Sequence, residues 1–246
     1  MPSVKPHGVY TIELSLNTRS ALGTLTSKRD FSPEDPIYNT ASNDYFQARQ
    51  KNDKAKMAKA RSQLLAGWFK DHIKPGAAVS VDKPLGSART DTSKVSAVLM
   101  WIPKANYLEV KADVTDAYMK TDAPADTPWL ASSIELFISP SGMSSEINHF
   151  AIVPSGANGQ TSLLTISNNK AAPLAPKANW KKTAKGYALD VRIPWNLVNG
   201  YEKGWKLMPV EALVNSKTPN GYVQILMNKA GYAVNMTKNY AGLLPK

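Results

Sequence analysis

The chain contains no cysteine. That excludes disulfides, thiolate nucleophiles and cysteine-ligated zinc or iron–sulfur centres. Histidine is almost as scarce, with His7, His72 and His149 only. None of them lies in an H-E-x-x-H pair, and no G-x-S-x-G elbow, phosphate-binding P-loop or dinucleotide fingerprint is present. These absences argue against catalysis by this chain alone. No apolar run approaches the ~18 residues that cross a bilayer. The opening Met1-Pro2-Ser3-Val4-Lys5 has no apolar core, so no export signal is visible.

Acidic residues are in deficit: 30 Lys and Arg face 19 Asp and Glu, a formal charge of +11. The excess is spread along the chain. Such a surface suits a polyanion, whether nucleic acid, anionic lipid or an acidic polysaccharide. A solvated basic protein with no such partner is an equally open reading. No RGG, zinc-finger or RRM-like signature accompanies the charge, which weighs against nucleic acid.

What is present is a β texture with turn punctuation. Residues 9–16 alternate at period two and predict a half-buried strand. Residues 17–41 are rich in Ser, Thr, Asn and Pro and read as a loop. Ser42 or Asn43 caps a predicted helix over about 43–69, with Met57, Ala60, Leu64 and Trp68 as its apolar stripe. Pro75-Gly76 ends it. From Val79 onward short apolar runs predict strands over 95–102, 107–115, 133–139, 147–153, 161–166, 186–193, 205–214, 222–227 and 231–235. The expected organisation is an N-terminal strand–loop–helix extension over 1–76 and a mainly β domain over 77–246. That domain is expected to be an antiparallel β-sandwich of jelly-roll or immunoglobulin-like type.

Five segments recur in one order: Tyr107-Leu-Glu-Val-Lys-Ala-Asp-Val-Thr-Asp116; Pro128-Trp-Leu-Ala-Ser-Ser-Ile-Glu-Leu-Phe-Ile-Ser139; His149-Phe-Ala-Ile152; Gly186-Tyr-Ala-Leu-Asp-Val-Arg-Ile-Pro-Trp195; and Gly204-Trp-Lys-Leu-Met-Pro-Val-Glu-Ala-Leu-Val-Asn215. Together they resemble the carbohydrate-binding modules of family 9, within the DOMON-like group of β-sandwiches, over about residues 95–246. The resemblance implies two packed sheets, structural calcium, and a sugar held between aromatic rings and polar side chains. Trp129 matches the first stacking ring, Glu135 the ligand-facing glutamate and Asn215 the polar residue ending its strand. Ser132 stands where the family pattern has aspartate, and Ala151 where sugar-binding members carry arginine. The second tryptophan is missing, and Tyr240 or Tyr232 is the candidate substitute.

Sugars present C–H faces to aromatic rings and hydroxyl edges to fixed donors and acceptors. Trp129, after a run of small and polar residues, either offers such a ring or closes the end of the core. Alternation puts Ser133, Glu135 and Phe137 on one face and Ile134, Leu136 and Ile138 on the other. Glu135 is thus a ligand contact or a plain strand glutamate, and His149 is a sugar-facing or hydrogen-bonded side chain. Trp101 and Trp205 read as core, Trp195 as framework and Trp180 as surface. Asp113, Asp116, Asp122 and Asp126 form the densest acidic cluster, the candidate calcium ligands or else solvated loop carboxylates. The expectation is non-catalytic carbohydrate binding, with an acidic polysaccharide favoured by the charge. The setting expected is a module of a secreted, periplasmic or cell-surface protein beside a catalytic domain. The alternatives are a structural sandwich without ligand and a haem-binding domain using His149, Met143 or Met208.

Overall fold

The computed structural model describes residues 10–16, 25–31, 36–67, 69, 71–85, 94–121, 127–144, 146–155, 159–167, 170–219, 221–228 and 237–245. The chain divides into two compact units, Met1–Gln63 and Leu64–Lys246.

In the first unit β1 (Tyr10–Leu16) pairs antiparallel with β2 (Leu25–Phe31). The second strand lies inside the segment read as loop. Its sequence, Leu-Thr-Ser-Lys-Arg-Asp-Phe, carries no alternation, and the ladder to β1 supplies what periodicity does not. The single helix expected over 43–69 is two helices, α1 (Pro36–Gln50) and α2 (Lys54–Gly67). Pro36 at the first helical position is pre-set for helical φ. The break is local chemistry. Asn52 takes a left-handed φ of 51°. Asp53 then caps α2 by accepting the Lys56 N–H at 3.0 Å, a bond that holds its carboxyl below the usual carboxylate range. Ala41, Tyr45 and Ala48 of α1 form a buried stripe at helical spacing.

The second unit is mainly β. Its remaining strands are β3 (His72–Ile73), β4 (Ala78–Val81), β5 (Lys83–Pro84), β6 (Val95–Pro103), β7 (Tyr107–Asp116), β8 (Ser133–Ile138), β9 (Asn148–Ile152), β10 (Gln160–Ser167), β11 (Lys170–Lys182), β12 (Gly186–Pro194), β13 (Met208–Thr218), β14 (Gly221–Leu226) and β15 (Ala241–Leu243). They form one sheet in the order β3-β15-β13-β8-β9-β10-β11-β12-β7-β6-β4, with β14 on β13 and β5 on β14. All these pairings are antiparallel except β15 with β3. The expected strand over 231–235 lies outside the described residues.

The sheet folds over a single core. Val95, Ala97, Leu99 and Trp101 of β6 alternate inward, as do Leu108, Val110, Ala112 and Val114 of β7 and Tyr187, Leu189, Val191 and Ile193 of β12. From the other half come Ile134, Leu136 and Ile138 of β8 and Met208, Val210, Ala212 and Val214 of β13. The Trp101 indole donates across this core to the Met227 sulfur at 3.4 Å. On the opposite face of β7 and β12 the exposed Arg192 lies 5.5 Å over the Tyr107 ring and 3.8 Å from the carboxylate of Glu109, which is itself buried. β8 differs, since all six of its residues are buried on both faces.

β11 is the strand that alternation does not announce. It contains Pro173 and Pro176, and of its residues only Ala178 is fully buried. Residues 170–177 pair only with β10, whereas β12 takes 178–182. The prolines therefore sit where no second neighbour asks for an N–H. β13 starts at Met208, not 205, so Trp205 lies before the strand. It packs edge-on to Trp195, ring centroids 6.1 Å apart.

The start of β12 requires glycine. Gly186 opens β12 at φ 156°, and an added Cβ would strike the Val114 carbonyl oxygen and lie 2.7 Å from the Asp116 nitrogen. Gly186→Ala is expected to lower stability by more than about 1 kcal/mol, read as a reduced urea midpoint with an unchanged slope.

Candidate functional site

The outer face of β9, β8, β13 and β14 carries a row of polar side chains in a covered setting. Register brings it together. Ser133 faces Asn215, Glu135 faces Leu213 and Phe137 faces Glu211 across β8 and β13. Gln224 faces Asn215 across β13 and β14, and His149 faces Phe137 across β8 and β9. Along each strand these residues are two apart, so they share one face.

The row is hydrogen-bonded end to end. His149 Nε2 lies 2.5 Å from Glu135 Oε2, and its ring stacks on Phe137 with centroids 4.2 Å apart. Asn215 Nδ2 donates to Glu135 Oε1 at 2.6 Å and to Ser133 Oγ at 3.0 Å. Gln224 Nε2 donates to Asn215 Oδ1 at 2.7 Å. Glu135 is only 3% exposed and Asn215 fully buried. Both carboxylate oxygens of Glu135 thus have partners within the protein, as burial requires. Gln224 stays half-open to solvent, and Tyr222, on the same face two residues away, is 47% exposed.

Trp129 is the middle residue of a 3-10 turn, Pro128–Leu130, and is half-buried. The turn is fixed on its far side: the Ser132 N–H donates to the Lys120 carbonyl at 2.6 Å, and the Lys120 N–H donates to Ser132 Oγ at 2.8 Å. Ser132, at the family's aspartate position, thus ties two loop segments together. The turn sits against β8 and β13, beside the end where Ser133, Asn215 and Gln224 lie. Tyr240 is buried, 6.4 Å from the Phe137 ring. Tyr232 lies outside the described residues.

Glu211 shares this face and is as deeply buried as Glu135. The N–H groups of Ala212 and Met227 donate to its Oε1 at 2.9 Å, and the Asn228 amide donates to Oε2 at 3.0 Å. Loss of water outweighs these donors and pushes its carboxyl up to about 7.

Of the acidic cluster, Asp113 and Asp116 fall among the described residues. Asp113 points outward from β7 and is exposed, while Asp116 is buried. Asp116 Oδ1 accepts from Tyr118 N–H and Met119 N–H, both at 3.0 Å, and from the Ser216 hydroxyl at 2.7 Å. Its Oδ2 and the Tyr187 hydroxyl are buried with no hydrogen-bond partner among the described residues. Burial and the Asp116 charge hold the Tyr187 phenol well above its ordinary range. Asp122 and Asp126 lie outside the described residues. Among the described residues no three His, Cys, Asp or Glu side chains converge as metal ligands, so calcium enters no step below. Of the haem candidates, His149 has one ring nitrogen on Glu135, and Met143 and Met208 are fully buried.

Sequence reasoning missed Gln224, Tyr222 and Glu211. The first two lie on β14, whose register with β13 pairs Thr218 with Gly221 and sets Asn215 against Gln224; the Asn220-Gly221 signal in the sequence would have placed the pairing two residues along.

Residues 69–235 match the family described as carbohydrate family 9 binding domain-like. The solved structures that resemble the chain include two carbohydrate binding modules of family 9 from Caldicellulosiruptor kristjanssonii. The one in complex with cellotriose has 17% identity and a TM-score of 0.52, over 71% of this chain and 92% of its own. The one in complex with glucose has 18% identity and the same TM-score, over 71% and 95%. At such identity the likeness is one of fold. Among curated proteins none matches.

Two outcomes follow for the row. Asn215→Ala strands the Glu135 oxygen and the Gln224 amide, and is expected to cost about 1–3 kcal/mol in urea denaturation. For Glu211 the folded state holds its proton more tightly than the unfolded chain, with a pKa moved from 4.5 to about 7. The stabilisation is full below about pH 4.5 and is lost as pH rises through about 7, roughly 3 kcal/mol in all. Glu211→Gln is expected to flatten that decline in denaturation midpoints measured at pH 5 and pH 8.

Proposed function

Since the chain belongs to the carbohydrate family 9 binding domain-like family, we propose that it binds carbohydrate where the polar row opens to solvent, between Gln224, Tyr222 and Trp129. The observation that carries this is the fixed amide of Gln224. Asn215 holds one of its N–H groups, and Asn215 is itself clamped by Glu135 and Ser133. The Gln224 side-chain oxygen Oε1 and second amide N–H have no other partner among the described residues, which leaves an acceptor and a donor for sugar hydroxyls. Tyr222 and Trp129 supply the rings on which a pyranose stacks. On this reading Glu135 is a positioning residue that orients Asn215, and His149 fixes Glu135 from the other side. The match to modules in complex with cellotriose and glucose supports glucose or a glucan chain as the ligand class. Binding without chemistry fits a sequence that lacks catalytic fingerprints, and the setting we propose is a module of a secreted or surface glycan-processing protein. No helix among the described residues is long and apolar enough to cross a membrane.

A structural role without ligand is the second reading. The internal satisfaction of both Glu135 oxygens favours it.

Calorimetric titration of the full chain with a cello-oligosaccharide separates the two. Trp129→Ala, Tyr222→Ala and Gln224→Ala are each expected to weaken binding by about tenfold or more, with the folded spectrum retained. Binding that survives all three substitutions, or is absent in the unaltered chain, would sink the sugar site and leave the structural role.

A further inference from the structure

The ends of β6, β7, β11 and β12 meet around a groove of about 670 Å³ that none of the polar row's residues lines. Its frame is rigid. The Asp116 N–H donates to the Lys185 carbonyl at 2.8 Å, the Ala117 N–H to the Lys94 carbonyl at 3.0 Å and the Thr183 N–H to the Gly186 carbonyl at 2.9 Å. The backbone groups nearest the groove are therefore spent, and recognition falls to side chains. Those are of three kinds. Lys94, Lys182 and Lys185 line the groove and are exposed. Thr115 and Thr183 bring hydroxyls. Tyr118 is half-buried, packs on the core and leaves the rest of its ring at the groove.

Among the described residues Asp116 is the one carboxylate in the lining; it is 3% exposed and has Oδ1 occupied by three donors. Asp113 belongs to the adjoining groove beside Val98 and Tyr187. Lys182 and Lys185, both exposed, bring a positive potential to this concave wall. Lysines alone would suit any anion. A ring and hydroxyls beside them select an anion carried on a sugar.

We infer that this groove binds an acidic glycan, its carboxylate or sulfate group held by Lys182 and Lys185 and its sugar ring set against Tyr118. The choice of a glycan rests on the carbohydrate reading above, but the site is a different one. The two therefore fail separately.

The test titrates the full chain with an oligogalacturonide, with a neutral cello-oligosaccharide and with sodium sulfate, at about 50 mM and about 300 mM sodium chloride. Both substituted lysines are exposed, so the double variant Lys182→Ala, Lys185→Ala keeps the fold. The oligogalacturonide is expected to bind, to weaken at the higher salt, and to lose about tenfold in affinity in the double variant. Gln224→Ala is expected to leave it unchanged, while neutral binding responds in the opposite pattern. The inference is overturned if the oligogalacturonide does not bind at either salt, if the double variant binds it as tightly, or if the cello-oligosaccharide displaces it. Sulfate binding as tightly as the oligogalacturonide would also overturn it, leaving a bare anion site.

Discussion

A strand buried on both faces has to satisfy every polar side chain without water, and β8 is such a strand. One of its faces meets the demand with hydrocarbon: Ile134, Leu136 and Ile138 enter the core. The other carries Ser133 and Glu135, which only other side chains can satisfy. An unpaired carboxylate there would cost several kcal/mol. The bonds from His149 and Asn215 remove that penalty, and they hold β9, β8, β13 and β14 in one register, because a slip by one residue would turn every partner to the wrong face.

The same constraint explains how a buried network can serve a surface. Glu135 and Asn215 are buried, with both carboxylate oxygens of the one and the amide nitrogen and oxygen of the other bonded within the protein. Their effect reaches solvent through the last member, where one amide is held by one hydrogen bond and free on its remaining atoms. Ordering the contact group in advance reduces the entropy lost when a ligand arrives. The groove at the ends of β6, β7, β11 and β12 is built differently: backbone bonds hold the frame and long lysine side chains line it. A hydrogen-bonded polar row suits a neutral hydroxyl-rich ligand, and screened mobile charges suit an anionic one.

Glu211 and Asp116 show two further ways of burying a carboxylate. Glu211 has four donors and still holds its proton to about pH 7, because burial dominates. Asp116 uses one oxygen to gather the turn after β7 and to reach Ser216 on β13. It thereby braces the segment that leads to the Trp129 turn. The acidic residue that the sequence marks as a metal candidate is, among the described residues, a hydrogen-bond anchor.

Alternation fixed much of the β unit in advance. Wherever Val, Leu and Ile recur at period two, as in β6, β7, β8 and β12, the strand and its inward face were legible, because that pattern is itself the demand for a core on one side. Glu135 was correctly separated from the isoleucines for the same reason. The chain could not announce β2 or β11, whose residues are held by neighbours and carry little apolar signal. It also could not distinguish one helix from two, since Asn52-Asp53 acts through a single left-handed φ and one cap. Whether Glu135 is wet or closed, whether Asp116 binds a metal or a turn, and which tyrosine faces solvent depend on what lies across the sheet. Those are long-range pairings, and period-two alternation within a strand does not contain them.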